Sequence, residues 1–571
     1  MTDLATLVLG PLASPECRRA ARRPWPIVAR SAAGAIASLL AFVTIWTWWI
    51  SAQVDPYHQP FVELRVCLVT LVGMAVAIAV VLAPAFLAGS LAGERERGSI
   101  GLLLATDASA LDIVLGRLAG GLGLVALIEL ATLPLLVGIA SLAGFTPLRQ
   151  ATLAALPLAV AFGAGGVALA ASAVSRRGRD ALMLVYLLIA LTQLTPFLGR
   201  AGVINPFTVL GPLVWGEDPA PAWVCSLAWA GSGLIGLALA TWRLRPAALS
   251  EGKNSRDRRR ARRRTRRLPE VDQARPMLWK ERYIERAGTM GGIGRWIGGA
   301  IVAWLVGSSL IAGGILARET FSPSGNPSRA QQALELLEIG VVGPAGAISV
   351  LICAAIGLRA AVTIASERER GTWDGLLTSP LEGQEIILGK LAGSLRAVRW
   401  LIAAAALAWT IAASVGAMPL RDYIDAILGL AAVGLFMAAL GVRVSLRCST
   451  ATRAMGMTLA QALLAAAVFA IGAVSICLGV ALACWLGWLF LGQIGQIDLS
   501  RVAVWFPMSF PSGYAIARLS LYAVAAVALV IETRLRFDRI AGRMTAGRTS
   551  IAVDRFIHGG PVVPVRLESR R

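Results

Sequence analysis

Glu367-Arg-Glu-Arg-Gly-Thr-Trp-Asp-Gly-Leu-Leu-Thr-Ser-Pro380 has a counterpart in the same chain, Glu94-Arg-Glu-Arg-Gly-Ser-Ile-Gly-Leu-Leu-Leu-Ala-Thr-Asp107, set 273 positions earlier (367 minus 94). The offset holds without a gap through Ile113-Val-Leu-Gly-Arg-Leu-Ala-Gly120 and Ile386-Ile-Leu-Gly-Lys-Leu-Ala-Gly393. Order kept over so long a stretch marks an internal duplication. Two weaker echoes accompany it: Pro11-x4-Glu16 against Pro276-x4-Glu281, and Arg179 against Arg453.

Each copy follows a long apolar run. Two carboxylates and two arginines put charge where that run ends, Gly98 and Gly371 permit a left-handed turn, and a short apolar run follows (Leu102 to Leu104; Leu376 and Leu377). In the second copy Ser379-Pro380-Leu381-Glu382 reads as a capping box with proline at the first helical position, so a helix is expected to start at Pro380. The corresponding start near Thr106-Asp107 is less well marked. The expected product is a short elbow helix lying between two membrane helices. Snorkelling charges that merely end a span would explain the charge, but not its repeated order.

The rest of the chain places these elbows in a membrane. Hydrophobic residues make up 57% and charged residues 15% of the 571, where a soluble domain carries about 25% charged. The net charge of +21 suggests nucleic acid only until its distribution is read. The cations fill the gaps between apolar runs, with few aromatics among them, which points to anionic lipid and to topology, not to a nucleic-acid partner. The seven cysteines are scattered, and His58 and His558 are the only histidines. Neither a metal site nor a disulfide framework is expected. The first thirty residues place basic residues before the first long apolar run, which is long enough to span, and are read as leading into an uncleaved first helix.

A crossing helix needs about 20 apolar residues. Runs that qualify cover 31–52, 64–91, 118–143, 151–174, 181–199 and 222–242, then 294–316, 341–365, 397–416, 424–446, 454–476 and 513–532. Lys and Arg concentrate at the first flank, 93–97, 175–180, 243–286, 443–453 and the tail, and are sparse at 55–63, 144–150, 200–221, 317–340 and 493–512. The alternation puts both termini in the cytoplasm. Trp46, Trp48 and Trp49 would belt the far end of the first span. Residues 454–492 are apolar for too long for one span, and a re-entrant or interfacial helix is expected around 477–491.

The expected fold is an all-α integral membrane protein of two parallel repeats of six spans. Residues 1–242 form the first half with its elbow at about 94–120, 243–275 a basic linker, 276–533 the second half with its elbow at about 367–393, and 534–571 a basic tail. Six is even, so the halves share one orientation and are related by an axis along the membrane normal.

Glu-x-Glu-x-Gly-Thr, an apolar run, Thr-Ser-Pro and Ile-Ile-Leu-Gly-Lys, running from Glu367 to Lys390, together resemble the permeases of ABC-2-type transporters. The first copy departs at Ser99 and Asp107 and keeps a basic residue at Arg117. The resemblance implies a type V exporter-like fold, with two half-permeases fused in one chain and residing in the cytoplasmic (inner) membrane. It further implies that Glu94, Glu96 and Gly98, with Glu367, Glu369, Gly371 and Thr372, belong to coupling helices that dock on a cytoplasmic ATPase dimer. Segments around Glu16 and Glu281 would be connecting helices. The chain has no phosphate-binding loop of its own. Gly383 to Gly389-Lys390-Leu391 has five intervening residues instead of four, and a leucine where magnesium needs a hydroxyl. ATP and magnesium are therefore expected on the partner, with no catalytic residues and no cofactor here.

Isolated polar residues add little. Glu129, inside the third span, suits either a substrate or proton role or a helix–helix hydrogen bond, and its repeat partner is Ile402. Arg359 is placed to snorkel. Asn205-Pro206-Phe207, and Phe506-Pro507 to Pro511-Ser512, are placed to shape re-entrant outer helices. Two other classes of function compete. An ion-coupled secondary transporter calls for paired membrane carboxylates and inverted repeats. A non-transporting scaffold or assembly factor would keep the same motif.

Overall fold

Inside a bilayer each backbone N–H and C=O must find its partner within the protein, so long apolar runs become helices. The computed structural model describes residues 25–54, 61–106, 108–175, 177–193, 195, 202–215, 219–249, 270, 276–283, 291–321, 341–379, 381–492 and 499–541. Its helices, in order, are α1 Trp25–Val54, α2 Phe61–Leu87, α3 Ser90–Arg97, α4 Ile100–Leu104, α5 Ala110–Leu142, α6 Pro147–Val174, α7 Gly178–Thr192, α8 Leu210–Trp215, α9 Ala220–Leu249, α10 Pro276–Tyr283, α11 Gly291–Phe321, α12 Gly343–Glu369, α13 Trp373–Leu377, α14 Gly383–Ala397, α15 Arg399–Ser414, α16 Leu420–Arg447, α17 Ala451–Gly492 and α18 Leu499–Ala541. The starts of α4, α5, α6 and α7 each lie 273 residues before those of α13, α14, α16 and α17.

Among the described residues nine helices are long and apolar enough to cross a membrane, ten if α14 and α15 make one span bent by 55° at Val398. This is a multi-pass membrane protein. One of the twelve expected spans falls short among the described residues. The fifth is α7, of 15 residues, about 23 Å long. The seventh is α11, a helix of 31 residues, Gly291–Phe321. The bend falls where Arg396 and Arg399 interrupt the apolar run, and Arg399 lies over the Trp400 ring.

Several local expectations change. The helix expected to start at Pro380 starts at Gly383, capped by an extended Glu382 without a side-chain bond. Ser379 Oγ instead donates to Leu376 O, closing α13. The capping box lies in the first copy, where Ser109 and Asp112 bond reciprocally at the start of α5. Residues 477–491 are neither a re-entrant nor a separate helix: α17 runs unbroken for 42 residues. Likewise Pro507 and Pro511 sit inside the continuous α18. Asn205 does shape a turn, its Oδ1 accepting from Phe207 N at 2.9 Å, before α8, whose Leu210 side chain reaches Gly73 of α2. Phe42, Trp46 and Trp49 stack in sequence along the last half of α1.

The helices approach most closely where they lack side chains. A Cβ at Gly166 would meet the Gly233 carbonyl oxygen at 2.3 Å, and one at Gly236 would meet Gly166 C at 2.4 Å, so α6 and α9 touch backbone to backbone. Small residues permit such contact where lipid supplies no hydrophobic drive between helices. In the second half the tight seam lies elsewhere. A Cβ at Gly441 of α16 would meet Gly357 O and Ala360 Cβ of α12, each at 2.6 Å.

Candidate functional site

The two elbows are built by the same bonds. Gly98 (φ 74°) and Gly371 (φ 69°) take the left-handed conformation that ends a helix, and α4 or α13 follows. Above each turn a carboxylate faces a cation from the next helix. Glu94 receives a hydrogen bond from Arg117 at 3.1 Å, and Glu367 one from Lys390 at 3.3 Å. Ser99 donates to the Glu94 carboxylate, and Thr372 to that of Glu367.

A serine then pins each elbow from a distant helix. The backbone N–H groups of Leu91 and Ala92 donate to Ser172 Oγ at 3.1 and 2.9 Å. Those of Ile364 and Ala365 donate to Ser445 Oγ at 3.0 and 2.9 Å. In the first copy these are the second and third residues of α3, whose N–H groups have no partner within the helix. All three members of this arrangement keep the offset of 273.

The second elbow is the more heavily built. Lys390 is completely buried and also pairs with Glu281 at 2.7 Å, while Lys280 reaches Glu367 at 2.6 Å. Both come from α10, which is thereby tied to α12 and α14. Charges buried at such a site persist only when paired. Trp373 of α13 lies under Arg368 and edge-on to Phe537 of α18 at 6.2 Å. These two rings join Met277, Leu376, Ile386 and Leu446 in a hydrophobic cluster separate from the main core. The faces left exposed are Leu102 on the first elbow, and Asp374 and Thr378 on the second.

Glu96 and Glu369 sit apart from these pairs. They line, with Arg177, Arg179, Arg370 and Arg453, a cavity of about 1280 Å³ between the two sets of helices. Glu369 also accepts from Ala451 N at 2.7 Å, capping the start of α17.

Of the residues singled out in the sequence, Glu94 and Gly98 meet at one elbow, and Glu367, Gly371, Thr372 and Glu281 at the other. Glu96 and Glu369 share the cavity between. Glu129 belongs to neither, and Arg359 is half-buried in α12. Glu16, Asp107 and Pro380 lie outside the described residues. Sequence reading passed over Ser172 and Ser445, which the 273 offset pairs, and Lys280, which stands beside Glu281.

The fold and elbows define a helical, multi-pass membrane protein in which the same glycine turn is built twice. Residues 265–484, from the approach to α10 into α17, match the family model described as ABC-2 family transporter protein. A comparison with curated proteins finds no match.

Proposed function

We propose that the chain is the permease of an ATP-driven exporter, with both halves acting as one translocation unit. The observation that carries this reading is the elbow built twice with the same bonds: Glu94, Arg117 and Ser172 in one copy, Glu367, Lys390 and Ser445 in the other. Only the second copy falls in the matched family domain. The shared bonds extend that assignment to the first and support two parallel halves, residues 1–242 and 276–533, joined by the basic linker.

In this reading the elbows are coupling helices at the cytoplasmic face, and both termini lie on that side of the inner membrane. Permeases of this family generally work with a partner ATPase. Each elbow would rest on one member of an ATPase dimer, where ATP and magnesium bind. Glu94 and Glu367 act from beneath, as positioning residues: their carboxylates are bonded to cations of the same chain, and Glu367 is buried. Contact with the ATPase falls to the outward faces, Leu102, Asp374 and Thr378. When the ATPases close, the second elbow would move α10, α12 and α14 together, because Lys390 and Glu367 bind them into one body.

The test is co-purification of an ATPase from native membranes. Leu102→Asp with Asp374→Arg should remove the ATPase while the permease still inserts and elutes as the wild type. An ATPase retained at the wild-type ratio would defeat the reading, as would a wild-type permease that never carries one.

A further inference from the structure

Glu129 lies on α5 twelve residues beyond Arg117, about 18 Å further along the helix and well inside the candidate span Ala110–Leu142. It is 8% exposed, and neither carboxylate oxygen has a hydrogen-bond partner among the described residues. Thr132, the nearest hydroxyl on the helix, is committed to the Glu129 backbone carbonyl at 2.9 Å. Glu129 is among the residues that line a cavity of about 520 Å³ between α5 and α6, floored by Ala75 of α2. Apart from Glu129 and Thr132 that lining is apolar, with leucines such as Leu127, Leu130 and Leu158. The volume falls in the range of about 300–1,000 Å³ typical of small-molecule pockets. Gly120 and Leu124 border both this cavity and the charged one between the elbows.

We propose that this cavity binds a lipophilic monocation, an apolar body carrying one quaternary or protonated amine-like charge that pairs with Glu129. An unpaired carboxylate in hydrocarbon is costly, and a ligand cation removes that cost without needing any further polar contact. An anionic or zwitterionic headgroup would bring a second charge into a lining with nothing to receive it. Ile402 holds the equivalent position in the second half, so the carboxylate is not repeated there. The proposal deepens the permease reading and rests on it only for the claim that the bound cation is carried across.

The test uses full-length protein in nanodiscs and equilibrium binding of radiolabelled tetraphenylphosphonium, corrected for empty nanodiscs. Binding should be saturable and weaken about thirtyfold or more in Glu129→Gln, as loss of one partner of a buried charge pair does. Glu129→Asp should retain most of it. Tetraphenylborate, equal in shape and opposite in charge, should not compete. Equal binding by wild type and a folded E129Q protein, absence of saturable binding, or competition by tetraphenylborate would each overturn the site. Should E129Q not fold, Ala154→Phe fills the cavity and keeps the carboxylate, and unchanged binding in that variant would overturn it equally. Binding that survives these tests without ATP-driven export would leave the site standing and remove the permease reading.

Discussion

Lys390 shows how much one buried charge organises. Its ammonium has no exposure and holds Glu281 of α10 and Glu367 of α12 at once. Lys390→Met leaves Glu281 and Glu367 buried without the cation they share, and breaking such a pair costs about 3–5 kcal/mol. The melting temperature followed by tryptophan fluorescence in detergent should fall accordingly. Adding Glu281→Gln to the same protein should recover a large part of the loss, since it removes one orphaned charge. Equal stability of wild type and K390M would show that the ion cluster is incidental. Gly371 makes a smaller, conformational contribution. Its φ of 69° suits glycine, and Gly371→Ala should cost about 1 kcal/mol, Gly371→Asn less.

At the scale of the element, the two elbows share their bonds but not their anchorage. The second rests on Trp373 and Phe537 in a cluster of its own, whereas Ile100 of the first joins the main core. Trp373→Ala should release about 3–5 kcal/mol of packing locally, raising amide hydrogen exchange across 371–390 while α6 and α9 stay protected. Exchange that rises evenly through the protein would mean the elbow is no separate unit. Helix pairs make a sharper prediction. Gly166→Val should prevent α6 from meeting α9 and abolish a monodisperse size-exclusion peak, because a backbone carbonyl occupies the space. Gly123→Ala, which meets nothing within 4 Å, should elute as the wild type.

For the whole molecule, the contact between the two sets of helices runs through Gly89, Gly178 and Thr452. A Cβ built at Gly89 stands 3.8 Å from Thr452 Cβ, close to the mean of about 3.8 Å found across disulfides. Gly89→Cys with Thr452→Cys should therefore cross-link under mild oxidation. After cleavage at a protease site inserted in the linker, the two fragments should remain joined on a non-reducing gel and separate once reduced. Either cysteine alone should give separate fragments, and separation of the double variant would mean that the halves do not meet along this line.

The amino-acid sequence by itself determined the membrane class, the positions of most spans and both elbows. These are properties of one dimension: the length of an apolar run, the order of Glu-Arg-Glu-Arg-Gly, an offset of 273 kept from Glu94 to Gly120. What it could not decide is which helix face meets which. Helices apolar all round carry no amphipathic stripe to show their inward side, so nothing local announces that α6 closes on α9 or that Lys390 is enclosed. Ser172 and Ser445 pin their elbows across some 80 residues of chain, and an isolated serine in an apolar run gives no sign of such a partner. Chain length misled in the same way. Residues 454–492 looked too long for one helix, yet α17 is continuous, because a backbone that satisfies itself can extend past the hydrocarbon. Only the tertiary structure decided that Glu94 and Glu367 face cations of their own chain, and that the Glu129 carboxylate has no hydrogen-bond partner among the described residues beside an apolar cavity. Burial and pairing are set by packing, and packing of uniformly apolar helices is not written in their periodicity.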